Sequence, residues 1–203
     1  MMRRATTLLA TAGLTLGLAG CITLFPKTPP TPMYRFEATV PAMPASAAPF
    51  TVRASAIDFD SAASDDSIMT SNGDTVAYIG DARWVAPASD LFTAAVAHGF
   101  EAAGGSAHLV GPGAPGKDAF MLQMQVTRFE AVYESGPTAP PTVMVHLHAR
   151  LLHEKDLSPA GDRDFDAAIP ASDNKLSAIV PAYDQAVSKV VTGLVAWVNQ
   201  GGG

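Results

Sequence analysis

The stretch FMLQMQVTRFEAVY, residues Phe120–Tyr133, is the clearest long strand pattern in this 203-residue chain. Apolar and polar side chains alternate along it, which is the period of a β-strand. The positions that we expect to face one way are Phe120, Leu122, Met124 and Val126, and those expected to face the other way are Gln123, Gln125 and Thr127. We predict a strand between about Asp118 and Glu134, long enough to organise a sheet.

A second alternating stretch, VMVHLHARLLHE, follows after the loop ESGPTAPPT. Its predicted apolar face consists of Val143, Val145, Leu147, Ala149 and Leu151, and its other face carries His146, His148 and Arg150. Two long strands joined by such a loop predict an antiparallel hairpin. Arg163–Ile169 is expected to add a further strand.

Shorter strands are predicted upstream. Tyr34–Val40 could form a first strand, and Phe50–Ile57 a second, in which Val52, Ala54 and Ala56 alternate with polar positions. The turn residues Asn72-Gly73-Asp74 separate two apolar runs, Ile68–Thr70 and Thr75–Ile79, which favours a tight hairpin. His108–Val110 is expected to form a short strand.

Two amphipathic helices complete the pattern. The first begins near Pro87, with Pro87 at its entry or Ser89 as its cap, and ends at Gly104-Gly105. The second runs from about Ser177 to Asn199, with Pro181 in its first turn or two. The fold class is therefore α/β of the α+β type: a single domain in which a mixed, largely antiparallel sheet packs with two main helices.

The N-terminus has the layout of an export signal. Arg3 and Arg4 precede the uncharged run Ala5–Gly20, which is shorter than the roughly 20 residues of a membrane-spanning helix. Residues 18–21 read LAGC and resemble a bacterial lipobox. We therefore expect residues 1–20 to be a lipoprotein signal peptide, residues 21–33 a lipidated Cys21 with a proline-rich tether, and residues 34–200 the folded domain. The competing interpretation is a plain signal peptide followed by an inert cysteine.

The composition limits the classes of function that this chain can have. The formal net charge of −6 disfavours a nucleic-acid partner, because phosphate binding needs a basic face. A single cysteine excludes an intramolecular disulfide and a cysteine metal cage.

Three motifs suggest chemistry, each weakly. GPGAPGKD, residues 111–118, approaches a phosphate loop, but its prolines remove backbone donors, Asp118 replaces the magnesium-binding hydroxyl, and a strand is predicted to follow. DRDFD, residues 162–166, resembles a calcium loop but lacks its glycine and its closing glutamate, and is better interpreted as a solvated strand face.

His146 and His148 share a strand face and could bind zinc with a third ligand such as His153, although strand histidines on a polar face are usually surface residues without a ligand. We predict no catalytic residue, no metal and no non-covalent cofactor.

Several landmarks together resemble one family. They are the lipobox, the proline-rich tether, an early Tyr-Arg-Phe, the segment AYIGDARWVAPASDLF leading into a helix, the two long strands, and the closing LVAWVNQ. This arrangement is similar to the ABC-type transport auxiliary lipoproteins, in which a tyrosine and an Arg-Trp segment precede the first helix. The matching positions here are Tyr78, Arg83, Trp84 and Pro87.

The resemblance implies an accessory role without catalysis. It implies a diacylglyceryl and N-acyl lipid on Cys21, anchoring at the outer membrane facing the periplasm, and partners consisting of an MCE-domain protein and an ABC permease and ATPase that move lipids or other hydrophobic molecules. Ile22, and not aspartate, follows the cysteine, and by resemblance to enterobacterial lipoproteins this favours export to the outer membrane. Tyr78, Arg83 and Trp84 are candidate partner contacts, with packing of Tyr78 and Trp84 between sheet and first helix as the other interpretation. A homo-oligomer, a stand-alone lipid-binding lipoprotein and a histidine-dependent metal hydrolase stay open as alternatives.

Overall fold

A computed structural model describes residues 31–44, 48–114 and 119–201. The expectations for residues 1–30, including the signal peptide, Cys21 and most of the tether, lie outside the described residues. Residues from Thr31 onward cluster into one compact unit.

Nine strands and two helices make up the described part of the chain. In chain order they are β1 Met33–Tyr34, β2 Phe50–Ala54, β3 Asp58–Phe59, β4 Ser67–Asn72, β5 Thr75–Trp84, α1 Ala88–Ala103, β6 Ala107–Val110, β7 Phe120–Val132, β8 Thr142–His153, β9 Pro159–Pro170 and α2 Leu176–Asn199. All of the strands belong to one sheet.

Strand β7 is the centre of this sheet. One edge of β7 pairs with β8 over its whole length, antiparallel, and β8 pairs with β9 in the same way. The other edge of β7 is met by three short strands in succession, β2, β3 and β4, all of them parallel to it. Strand β6 then extends β2, β5 extends β4, and β1 extends β5. The prediction of a mixed sheet around a long antiparallel hairpin is confirmed.

The two helices cover one face of the sheet, and the sequence pattern predicted that face correctly in the long hairpin. All five apolar positions assigned to β8 are buried, as are Leu122, Met124 and Val126 of β7. The β9 side chains Phe165 and Ala167 continue this buried face. Ring contacts join it to α2 through Phe165 and Trp197, whose centroids lie 5.8 Å apart.

A register shift in β7 places Phe129 in the core. The pairing with β8 slips between Val126 and Arg128, so that the buried positions change from even to odd numbers. Such a bulge inserts one extra residue and reverses which side chains face inward. Phe129 and Ala131 are therefore buried.

The Phe129 ring contacts rings from five other elements or segments. The centroid distances are 5.0 Å to Phe36, 5.5 Å to Phe59, 6.4 Å to Trp84, 6.2 Å to Phe92 and 5.0 Å to Tyr183. Most of these rings meet at steep angles, which suits the quadrupoles of aromatic rings. Phe129 thus connects the sheet to both helices.

The prediction of a strand over Tyr34–Val40 was wrong beyond its first residue. Only Met33 and Tyr34 pair with β5. The next six residues, Arg35–Val40, form a strap that runs beside α2. The N–H of Glu37 donates to the Asp184 carboxylate (3.0 Å), and the N–H of Thr39 donates to Ser188 Oγ (2.8 Å). Asp184 and Ser188 are one helical turn apart, so the helix supplies the acceptors that a neighbouring strand would otherwise provide.

The strap and both helices meet at Gly99. A Cβ atom at this position would lie 2.5 Å from Val191 Cγ1 and 3.1 Å from Val40 Cγ2. A side chain here would force the two helices apart. Gly99 therefore allows α1, α2 and the strap to pack closely.

Three smaller expectations are corrected or confirmed. Ala56 is exposed, because the chain leaves the sheet after Ala54. Ser89 does not cap α1; the helix begins after Pro87, and Ser89 Oγ donates to the Ser64 carbonyl. Helix α1 ends at Gly104 in a left-handed conformation, as expected, and α2 begins at Leu176 and continues through Pro181.

We expect Phe129→Ala to lower the free energy of unfolding by about 3–5 kcal/mol, since it removes a ring that contacts five others. Phe120→Ala is the matched control, because Phe120 is half-buried at the end of the same strand and should cost clearly less. Urea unfolding followed by circular dichroism measures both. Equal losses would contradict a central role for Phe129.

Asp184 gives the strap a pH-dependent contact. Burial raises the pKa of the Asp184 carboxyl above its usual 3.8; the N–H of Glu37 partly offsets this by stabilising the charged form, and the Glu37 carboxylate adds to the rise. A folded-state pKa above the unfolded one means that the protonated carboxyl stabilises the fold. That contribution is complete below about pH 3.8 and is lost as the pH rises through the folded-state pKa.

We therefore expect the stability of Asp184→Asn, relative to the unchanged protein, to rise with pH from about pH 4 and then level off. The amide oxygen of asparagine can still accept the Glu37 N–H, so the strap stays attached. Ser188→Ala, which removes the Thr39 contact without a charge, should show a difference that does not vary with pH. A flat profile for both variants, measured by urea unfolding across the acid range, would overturn the assignment.

Candidate functional site

The three residues singled out for partner contact lie on β5 in three different environments. Trp84 is 2% exposed and Tyr78 is 49% exposed. Arg83 is exposed and forms an ion pair with Asp66, with Nη1 lying 3.2 Å from each carboxylate oxygen. The sequence grouped these residues, but the structure does not bring them together into one site.

Trp84 is a core residue. Its ring lies 5.1 Å from Phe36 and 5.1 Å from Tyr183, both edge-on. The packing interpretation of Trp84 is therefore the one that the structure supports, and its ring contact with a helix is to Tyr183 of α2. Burial also raises the pKa of the Tyr183 hydroxyl, which lies 3.4 Å from the Met69 carbonyl.

Tyr78 is a surface residue, contrary to the expectation that it packs between sheet and first helix. Its hydroxyl donates to the Ala62 carbonyl (2.9 Å), which fixes the ring over the segment before β4. Val76 lies two residues earlier on the same strand and is also exposed. Two neighbouring apolar side chains on one strand thus face solvent.

The outer side of β5 is open over most of its length. Strand β1 pairs only with Arg83 and Trp84, and no other strand in the described ranges pairs with that side of Thr75–Ala82. We call this segment the β5 edge. An unpaired strand edge offers backbone donors and acceptors to another chain.

Exposed apolar side chains concentrate around the β5 edge. Five large apolar side chains of the described residues are strongly exposed, and four of them lie on β1, on β5 or directly after β5: Met33, Val76, Tyr78 and Val85. The fifth, Leu157, lies in the turn between β8 and β9. Sequence reasoning missed Met33, Val76 and Val85, because alternation in a strand does not reveal which strands have no neighbour.

The histidine face of the sheet is a charged ladder formed by β8 and β9. Its members are His146, His148 and Arg150 opposite Asp166, Asp164 and Asp162, respectively. Nδ1 of His146 lies 2.6 Å from the Asp166 carboxylate, and Nδ1 of His148 lies 2.8 Å from that of Asp164. Arg150 Nε donates to Asp162 (3.2 Å).

This ladder does not assemble the proposed zinc ligands. His153 pairs with Phe120 at the strand end, with its ring 5.1 Å from the phenyl ring, and strand alternation directs it to the opposite face from His146 and His148. Among the described residues, no group of three or more histidine, cysteine or acidic side chains could hold a metal ion. The three aspartates are exposed on β9, as expected for a solvated strand face and unlike a calcium loop.

The phosphate-loop-like segment also ends in a strand. Residues 115–118 lie outside the described residues, and the described element that follows them is strand β7, where a phosphate loop has a helix. Among the described residues, no helix is long and apolar enough to cross a membrane.

The fold defines a single α+β domain with one helix-covered face, one charged face and an open strand edge. A family model for the ABC-type transport auxiliary lipoprotein component matches residues 34–195. The chain belongs to this family.

Solved structures share the fold. Protein XCC0632 from Xanthomonas campestris is 25% identical, with a TM-score of 0.72 over 83% of this chain and 96% of that one. The hypothetical protein CT253 from Chlamydia trachomatis is 10% identical, with a TM-score of 0.51 over 75% of this chain and 96% of that one, and supports the fold alone. Among curated proteins, no relative matches the chain.

Proposed function

We propose that this lipoprotein is an outer-membrane-anchored accessory subunit that docks a periplasmic MCE-domain protein of an ABC transport system carrying lipids or other hydrophobic molecules. Family membership supports the association with an ABC transport system. The observation that carries the docking role is the β5 edge, where an unpaired strand coincides with four of the five strongly exposed large apolar side chains of the described residues.

An open strand edge and exposed apolar side chains suit one mode of binding. A partner strand added to β5 would form main-chain hydrogen bonds with the unpaired edge, and Val76 and Tyr78 would contribute side-chain contacts. Arg83 is half-exposed despite its ion pair with Asp66, so a partner carboxylate could compete for it. The unpaired β5 edge would also allow a second copy of this chain to pair with it in a homo-oligomer.

A non-catalytic role agrees with the charged ladder. Both histidines there already contact carboxylates, and they belong to no group of three or more potential metal ligands in the described part of the chain. These contacts favour a docking subunit over a histidine-dependent hydrolase. The stand-alone lipid-binding alternative differs from the docking role in one respect: it requires no protein partner.

A photo-reactive amino acid at position 78 tests the docking role in cells that produce the full chain and its transport partners. We expect ultraviolet light to join position 78 to the MCE-domain protein, identified by mass spectrometry. Position 157 is the matched control, because Leu157 is 55% exposed and Tyr78 49%, yet Leu157 lies in the β8–β9 turn. Equal adducts from both positions, or no MCE adduct from position 78 in an exported and stable protein, would contradict the proposal.

The lipid anchor is tested separately at Cys21. Cys21→Ser should abolish incorporation of an alkyne fatty acid and release the protein from the outer membrane, because the thiol is the proposed acyl acceptor and two or more chains are needed for stable anchoring. Gly20→Ala keeps a small residue before the cysteine and should leave acylation unchanged. Acylation that persists in Cys21→Ser would show that another residue carries the lipid.

A further inference from the structure

The sheet has a gap between β2 and β3. Ala54 pairs with Leu122 of β7, and Asp58 pairs with Gln125. The chain from β2 to β3 therefore advances by four residues while β7 advances by three. Ser55 still donates its N–H to the Leu122 carbonyl (2.9 Å), and the extra residue makes Ala56 and Ile57 bow away from β7. This bow opens a cavity on each face of the sheet, and the two cavities share Ser55, Ala56 and Met124.

The two cavities differ in chemistry. The cavity on the open face has a volume of about 370 Å³ and is lined mainly by polar side chains, among them Gln123, Gln125, His148 and Arg150. The cavity on the helix face has a volume of about 420 Å³ and lies between the bow, α1 and the end of β6. This second volume falls in the usual range of small-molecule sites, about 300–1,000 Å³.

Apolar side chains form most of the helix-face cavity. Val96 and Met124 are buried at its base, and Ile57, Ala97 and Leu109 are half-buried around it. Replacing water on an apolar surface of this size with hydrocarbon lowers the free energy. The base of the cavity therefore suits a hydrocarbon chain.

The rim of the cavity offers hydrogen-bond acceptors. Ser55 Oγ lies 3.3 Å from both the Leu122 and the Ala56 carbonyls, Ser89 Oγ donates to the Ser64 carbonyl (3.1 Å), and Thr93 Oγ1 donates to the Ser89 carbonyl (2.8 Å). Each of these hydroxyls has a backbone acceptor within the protein and keeps lone pairs that can accept a hydrogen bond from a ligand. The Asp90 carboxylate, the one charged side chain lining this cavity, only accepts hydrogen bonds.

From this geometry we propose that the helix-face cavity binds one acyl chain of a lipid whose head group donates hydrogen bonds, such as a glycerol hydroxyl or an ammonium group. A free fatty-acid anion is disfavoured, because its carboxylate would meet the negative charge of Asp90 at the rim. This inference does not depend on the MCE partner. It adds a ligand site to the accessory role and assigns the site a head-group chemistry.

A photo-reactive monoacylglycerol with a diazirine in its chain tests the site, using the full-length protein in lipid nanodiscs. We expect adducts on the peptides that contain Val96–Ala97, Leu109 and Met124, mapped by mass spectrometry. Ala97→Phe fills the cavity and should reduce these adducts at least about fivefold. Ala102→Phe places the same side chain on an exposed turn of α1 and should leave them unchanged.

Competition distinguishes the head groups. Unlabelled monoacylglycerol should compete well and palmitate poorly, and Asp90→Asn should improve competition by palmitate by about fivefold, which corresponds to removal of one close repulsive charge at a surface. Monoacylglycerol competition should be unaffected by Asp90→Asn.

Adducts scattered over the protein surface, or adducts of equal strength in Ala97→Phe and Ala102→Phe, would overturn the cavity assignment. Palmitate competing as well as monoacylglycerol would overturn the head-group assignment. Because none of these measurements includes a transport partner, their failure is distinguishable from failure of the docking role, which the position-78 adduct reports.

Discussion

The Phe129 ring is the contact on which the arrangement of this domain depends. It lies on the longest strand, and it touches rings from the strap, from β3 and β5, and from both helices. It can do so only because β7 contains a bulge between Val126 and Arg128. Without that extra residue, strict alternation would direct Phe129 to the charged face and would place Arg128 and Glu130 among the helices. One irregularity in one strand therefore decides how the sheet meets its helical layer.

The Arg128–Glu130 pair illustrates the other side of the same constraint. The bulge leaves both residues on the open face, where Arg128 Nη2 lies 2.7 Å from the Glu130 carboxylate. Glu130 is almost fully buried there, and a buried carboxylate is tolerated when a close cation and hydrogen bonds compensate for lost hydration. The middle of the face that carries the charged ladder is thus mainly polar from β7 to β9. It stabilises the sheet through cross-strand pairs, and its aspartates discourage pairing of another chain with the exposed edge strand β9.

Much of this fold could be predicted from the sequence, and the failures have physical causes. The β7–β8 hairpin, its buried face and both helices follow from local periodicity, which is set by residues close together in the chain. The bulge is also visible in the sequence, because the apolar positions change from even to odd numbers at Thr127-Arg128. No local sequence pattern predicts the strap, because its N–H groups donate to Asp184 and Ser188, nearly 150 residues away. Likewise, the sequence marked Tyr78 and Trp84 as one group, but only the tertiary pairing of β5 exposes the first and buries the second.

The candidate surfaces share an origin in β7. On the edge of β7 opposite β8, no single strand of the described residues pairs along all 13 residues; three short strands, β2, β3 and β4, pair with it in succession. The chain therefore leaves and rejoins the sheet between these strands. The first departure, at Ala56 and Ile57, opens the apolar cavity beside α1. After the last of these strands the chain turns back as β5, whose outer side meets only the two residues of β1. Stability is therefore concentrated along the continuous β7–β8–β9 side, where every backbone position of β8 has a neighbour. Apart from the outer edge of β9, the discontinuous side is where backbone and apolar groups stay available, and binding needs groups that folding has left unsatisfied.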